Sequence, residues 1–174
     1  MSLKEFMDAY SPSYQRVIKD NPEECFFGQY PILSEIDRLY GTGIAESWLV
    51  PQLYNLGEVC GVRYKMTDLQ MEECAYMISS EFHYLKISEL MLFFSRLKAG
   101  YYGQKFYGSI DPVVILDTIR NDFVERDRSF AIDRMESFRR LAQIDENRRG
   151  AIPFEEYVRL HADDPNFRPL FAQP

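Results

Sequence analysis

Signals that begin or end a helix recur along the chain, and they constrain its fold more than any other feature. Ser2–Glu5 and Thr67–Gln70 have the residue types and spacing of capping boxes, and Asp111-Pro112 places a proline directly after a cap residue. Strand signals are confined to Val59–Met66 and Tyr101–Ser109, where the alternation is too brief for more than a short β-hairpin. The sequence therefore predicts an all-α, single-domain helical bundle with at most one short hairpin.

Glycine and proline positions divide the chain into helices. We expect one helix closed by Gly41, one interrupted at Pro51, and one capped by Ser88 and stopped by Gly100. A further helix begins at Asp111 and runs for about 35 residues with a break or kink, and a short last helix lies at 153–161. Residues 1–162 then form a single helical domain, and 163–174 form an extended C-terminal tail.

The charge balance disfavours nucleic acid as the main partner. The 174 residues carry 20 basic and 27 acidic side chains, a net charge of −7, which is no whole-chain signature of a nucleic-acid or membrane-surface binder. Residues 1–87 carry −6 and residues 88–174 carry −1, and the bases of the second half are mostly arginine. Between Arg120 and Arg140 we expect a solvated helix with ion pairs between arginine and acidic side chains.

The cysteines and apolar runs indicate a soluble intracellular protein. Cys25, Cys60 and Cys74 are scattered, and with two histidines they give no zinc-site spacing, so we expect buried, reduced thiols. Met1–Tyr10 lacks the apolar core of a signal peptide, and the longest apolar run, Leu90–Phe94, is far shorter than a membrane span. We expect a cytoplasmic protein with no membrane contact, no metal and no cofactor.

Motifs of common catalytic sites are missing from the sequence. It contains no dinucleotide-binding glycine motif, P-loop, serine nucleophile elbow or paired-histidine zinc motif. His83 lies near Glu81 and Tyr84, but a structural histidine is the better interpretation. Cys74 follows two glutamates, which raise the pKa of a thiol and disfavour a nucleophile. The sequence predicts a protein that is not an enzyme.

The segment between two predicted helices at residues 100–108, which we call the aromatic loop, is the strongest candidate for a functional site. Residues 100–108 place four aromatic side chains and three glycines around one lysine. Glycine allows tight turns, and tyrosine and phenylalanine offer rigid faces for anchoring. Such a loop either folds back onto the core or offers a binding surface. The predicted partner-binding residues are Arg96, Lys98, Tyr101, Tyr102, Lys105, Phe106 and Tyr107.

Residues 84–126 also resemble the central segment of a known family. A helix ends in Lys-x-Gly, and a loop with Tyr-Gly and Phe-Tyr-Gly leads to an Asp-Pro helix start. The matching residues are Phe93, Phe94, Lys98, Gly100, Tyr102, Gly103, Phe106, Tyr107, Gly108, Asp111 and Pro112. This pattern resembles an uncharacterised family of small helical proteins encoded by bacterial phages and other mobile elements. The resemblance implies a role in replication or maintenance of such an element.

A second segment, Asp145–Glu156, resembles a degenerate EF-hand calcium loop. Counted from Asp145, suitable residues occupy positions 1, 3, 6, 8 and 12 of the loop. Position 5 holds Arg149, which cannot coordinate a cation, and position 9 holds Pro153, which is typical of a helix start. The alternative is a glycine turn followed by a helix that carries acidic residues in its first turn.

These observations favour one function and leave two alternatives. We expect a non-catalytic, cytoplasmic interaction protein, an accessory factor in replication or regulation of a mobile element, that binds a protein partner through the aromatic loop. The alternatives are a divergent EF-hand-like sensor or scaffold and a nucleic-acid-binding accessory protein. A homodimer formed through the aromatic surface stays open.

Overall fold

The structure, a computed structural model, describes residues 1–104, 106 and 108–163. Within them, helices form nearly all of the regular structure, which confirms the all-α prediction. A 3₁₀ turn at Pro12–Tyr14 and a π-helical segment at Thr118–Arg128 accompany the α-helices. The α-helices are α1 (Leu3–Ala9), α2 (Gln15–Ile18), α3 (Pro22–Phe27), α4 (Leu33–Tyr40), α5 (Ile44–Cys60), α6 (Asp68–Glu81), α7 (Ile87–Lys98), α8 (Pro112–Asp117), α9 (Ser129–Gly150) and α10 (Phe154–Leu160).

Local capping chemistry forms several helix starts as predicted. The Ser2 hydroxyl accepts a hydrogen bond from the Glu5 amide at 3.3 Å, and the Glu5 carboxylate accepts one from the Ser2 amide at 2.7 Å. Thr67–Gln70 forms the same reciprocal pair at the start of α6. At α8, the Asp111 carboxylate accepts a hydrogen bond from the Val113 amide at 2.9 Å. These starts depend on residues within one turn, so the sequence alone defines them.

The predicted interruption of α5 is wrong. The helix continues through Pro51 from Ile44 to Cys60. An interior proline costs about 3 kcal/mol locally. The helix offsets this cost by burying its apolar side on both sides of the proline, with Trp48 and Leu53 each only 1% exposed.

The predicted cap of α7 is also wrong. The helix begins at Ile87, and the Lys86 amide donates a hydrogen bond to the Glu89 carboxylate at 2.8 Å. Ser88 lies inside the helix and is buried, and its hydroxyl donates a hydrogen bond to the Cys25 carbonyl at 2.7 Å. Ser88 therefore bonds to a residue that is distant in the sequence, and it does not cap the helix as the local sequence predicts.

The two segments with strand signals meet each other instead of forming hairpins. In the described part of the chain, Tyr64 and Ser109 form a single parallel bridge. The Tyr64 amide donates a hydrogen bond to the Gly108 carbonyl at 2.7 Å. A one-residue bridge orients the end of the aromatic loop without adding a sheet.

Helix α7 is the centre of the hydrophobic core. Residues 87–94 are all buried, and the helix contacts α2, α3 and α5. A stretch of helix that is buried on every side, here including the polar Ser88 and Glu89, is surrounded by other elements. The large side chains of Trp48, Phe93, Phe94 and Phe123 fill much of the space around it.

The chain divides into two compact units, residues 1–131 and the part from Ile132 onward. The first unit holds every buried residue of the described chain, and residues 132–163 bury none. The second unit contains most of α9 and all of α10. The tail predicted at 163–174 lies, apart from Asp163, outside the described residues.

Candidate functional site

Asp127 joins the aromatic loop to α7 and the π-helical segment. Its side chain is 7% exposed, and Oδ2 accepts hydrogen bonds from Nη1 of Arg96 at 2.7 Å and from the Tyr102 hydroxyl at 3.2 Å. Oδ1 accepts a third from Nε of Arg126 at 3.1 Å. Hydrogen bonds between ionised groups are stronger than neutral ones. One nearly buried carboxylate therefore fixes groups from the end of α7, the loop and the π-helical segment.

The Tyr102 ring is packed inward. It stacks on Phe93 with 5.8 Å between the ring centroids and an angle of 27° between the planes. Burial, followed by the Asp127 charge, raises the pKa of Tyr102 well above its ordinary value, so the phenol stays protonated and donates to Asp127. Phe106 is also partly buried against the core. At Tyr102 and Phe106 the loop therefore folds back onto the core.

Tyr101 faces the other way. Its side chain is 59% exposed, and its ring lies perpendicular to that of Tyr102 at 5.2 Å between centroids. The guanidinium carbons of Arg96 and Arg126 lie 4.9 and 5.9 Å from the Tyr101 centroid, within cation–π range. We call Tyr101, Arg96 and Arg126 the Tyr101 surface.

Two glycines produce this division of the loop. Gly100 and Gly103 have φ angles of 71° and 75°, in the left-handed region that favours glycine. The Tyr101 amide donates a hydrogen bond to the Arg96 carbonyl at 3.0 Å, which closes α7. The chain therefore turns sharply after the helix, and adjacent tyrosines take opposite environments.

Lys98 belongs to a different part of the molecule. Its Nζ donates a hydrogen bond to Oδ1 of Asn55 on α5 at 2.7 Å. Burial, with a smaller effect from the Arg16 charge, lowers the pKa of Lys98. The structure thus brings Arg96, Tyr101 and Tyr102 together, whereas Lys98 lines a separate cleft. Lys105 and Tyr107 lie outside the described residues.

The sequence predicts a break or kink in the long helix without placing it, and the structure has a π-helical segment within a continuous helix. Residues 112–150 are helical throughout, and Thr118–Arg128 has the wider π turn, in which each amide pairs five residues back. Ile119 and Phe123 of this segment are fully buried. The change from an α-helix to a π-helix at Thr118 accompanies the packing of this segment on the core, and the segment contains no proline.

Sequence reasoning missed the long-range pairs of two side chains of this segment, Asp127 and Arg128. Asp127 pairs with Arg96, 31 residues away, and Arg128 pairs with Glu89, 39 residues away, at 2.8 Å. No local signal identifies partners at these separations. Only the expected short-range pairs were accessible, and Arg126 forms one of them with Asp122 at 3.1 Å.

The remaining sequence candidates do not form a group of metal ligands in the described residues. Asp145–Gly150, the first half of the EF-hand-like segment, is the helical end of α9 and not a calcium loop. Within the described chain, no group of three histidine, cysteine or acidic side chains is placed to hold a metal. Burial raises the pKa of Cys25 and Cys74 to about 12, which leaves both thiols protonated.

Comparison with known proteins identifies the family. A model of a family of unknown function, DUF6633, matches residues 65–164, more than half of the chain. The chain belongs to this family. The matched region includes the aromatic loop, Arg96 and Asp127. No curated protein and no solved structure matches. Among the described helices, none has the length and apolar character of a membrane span.

Proposed function

We propose that this protein is a non-catalytic interaction protein that binds a protein partner through the Tyr101 surface. The observation that carries the proposal is the exposure of Tyr101 between two arginines, while Tyr102 and Phe106 of the same loop are packed. Tyrosine and arginine are enriched among the residues that dominate protein interfaces. Lys105 and Tyr107, which the sequence assigns to the same site, lie outside the described residues.

The ordering of the Tyr101 surface supports the proposal. Arg96 and Arg126 are both held by Asp127, and both guanidinium groups stand beside the Tyr101 ring. Immobilising a long side chain on binding costs about 0.5–1.5 kcal/mol. Since the arginines are already fixed in the free protein, a partner meets an aromatic face and two cations with little further loss of entropy.

A second observation favours an interaction protein over an enzyme. The described part of the second unit, residues 132–163, buries no residue, although it carries large apolar side chains. Those of Phe138, Leu141, Ile144, Ile152, Phe154 and Leu160 are exposed. Isolated helices are marginally stable in water, and exposed apolar patches mark interaction sites. A partner protein that covers this unit would stabilise it, and a second copy of the chain is one such partner.

The proposed biological role of the protein is based on the motif in residues 84–126. Its resemblance to proteins encoded by phages and mobile elements supports an accessory role in replication or regulation of such an element, in the cytoplasm. The net charge of −7 favours a protein over a nucleic acid as the partner.

Affinity purification from the native host tests this proposal. We expect Tyr101→Ala to lose a protein that the wild type retains. Tyr76→Ala, which removes a tyrosine of similar exposure from α6, is the matched control and should retain it. Recovery of the same proteins with both variants would refute the role of the Tyr101 surface. Steeply salt-dependent binding to DNA, without a protein partner, would replace the proposal with the nucleic-acid alternative.

A further inference from the structure

A cleft of about 450 Å³ lies between the 3₁₀ turn with α2, the C-terminal part of α5 and the end of α7. This volume is within the range of small-molecule sites. All of the lining residues belong to the first unit. The polar ones that matter here are Ser13, Arg16, Lys19, Asn55, Ser95 and Lys98.

The cleft is lined by positive charge, although the first half of the chain is acidic. Arg16, Lys19 and Lys98 line it, and no carboxylate does, although residues 1–87 carry a net −6. Within the described chain, none of the three cations forms an ion pair with an acidic side chain. Cations in an acidic region ordinarily find acidic neighbours, so three unpaired ones around one cavity indicate an anion site.

The side chains of the cleft also present hydrogen-bond donors. Oδ1 of Asn55 accepts from Nζ of Lys98 at 2.7 Å, which leaves the amide group of Asn55 and two protons of Lys98 as donors. Ser13 and Ser95 line the same space, and the Ser13 hydroxyl is hydrogen-bonded to that of Ser11 at 2.9 Å. The charge of Arg16 contributes to the lowered pKa of Lys98, so the two cations repel each other and an anion between them would relieve that repulsion.

We propose that this cleft binds a small, soluble phosphate ester. A phosphate monoester carries between one and two negative charges at neutral pH and several acceptor oxygens, which matches three cations and neighbouring donors. The free volume exceeds that of a phosphate group alone and accommodates an attached sugar or nucleoside. The site does not depend on the Tyr101 surface, and it adds a small-molecule ligand to a protein proposed to bind a protein partner.

Calorimetric titration with adenosine monophosphate, glycerol phosphate and inorganic phosphate tests the proposal, with adenosine as the uncharged counterpart. We expect saturable binding of at least one ester and none of adenosine. Arg16→Ala/Lys19→Ala alters two exposed residues and should weaken binding about tenfold or more, since each hydrogen bond to a charged group contributes about 1.5–3 kcal/mol. Lys4→Ala/Arg139→Ala changes the net charge equally at exposed positions outside the cleft and should leave affinity unchanged.

Three results would overturn the inference. The first is that no ester binds at millimolar concentration. The second is an equal loss of binding in both double variants, which would indicate a general charge effect. The third is binding to duplex DNA or to vesicles of phosphatidylserine and phosphatidylcholine, without binding of any soluble ester.

Discussion

Asp127 is the residue on which the order of the aromatic loop depends. Its carboxylate is the shared acceptor for Arg96, Arg126 and Tyr102, and its side chain is nearly buried. A carboxylate in such a position is stabilised by its partners, and each partner is stabilised by it. Removing the acceptor leaves a partly buried guanidinium and a buried phenol without a hydrogen bond.

Asp127→Ala is therefore expected to lower the free energy of unfolding by about 3 kcal/mol, because breaking a buried ion pair from one side leaves the other charge uncompensated. Urea denaturation measures the change. Asp122→Ala removes the more exposed i,i+4 partner of Arg126 and should cost less than about 0.5 kcal/mol. Equal losses in the two variants would show that Asp127 has no special structural role.

At the scale of elements, a second nearly buried carboxylate, that of Glu89 on α7, forms an ion pair with Arg128 of the π-helical segment. Glu89 is 2% exposed and accepts hydrogen bonds from the Lys86 amide and from Nε of Arg128, both at 2.8 Å. Burial raises the pKa of Glu89, and the Lys86 and Arg128 interactions oppose that rise. The folded state therefore binds the Glu89 proton more tightly than the unfolded chain does, and ionisation of Glu89 costs stability.

Arg128→Ala is expected to raise the pKa of Glu89 further and to lower stability at pH 7 by about 2 kcal/mol. The ordinary value of this carboxyl is 4.5, and the loss belongs to its ionised form. The loss of stability should be fully present above the pKa that Glu89 has in the folded variant. It should shrink as pH falls toward 4.5. Urea unfolding at neutral and mildly acidic pH measures this trend. A loss that is independent of pH, or that grows on acidification, would contradict it.

The sequence predicts the elements whose causes are local. The caps at Ser2, Thr67 and Asp111 are fixed by residues within one turn, and each forms as expected. Pro51 and Ser88 are misjudged because burial and a contact with α3 outweigh local preference. The composition of the loop predicts its glycine turns, but the hydrogen bond that holds Tyr102 inward comes from Asp127 in the distant π-helical segment.

At the scale of the whole molecule, every buried residue among those the structure describes lies in the first of the two units. Residues 1–131 contain the entire core of the described chain. We expect a chain truncated after Ala131 to fold cooperatively, since the apolar burial that stabilises the fold is retained. Circular dichroism during thermal unfolding measures this. Loss of the cooperative transition, with the full-length chain as the control, would show that the second unit is required for the core to form.

We propose that the function of these arrangements is to bind a partner protein. With a partner isolated from the host, the dissociation constants of the wild type, Tyr101→Ala and Tyr76→Ala can be measured by calorimetry. We predict that Tyr101→Ala weakens binding about thirtyfold, as expected for an interface hot spot that contributes about 2 kcal/mol. Tyr76→Ala should match the wild type. Equal affinity in all three proteins would contradict the central claim that the Tyr101 surface binds the partner.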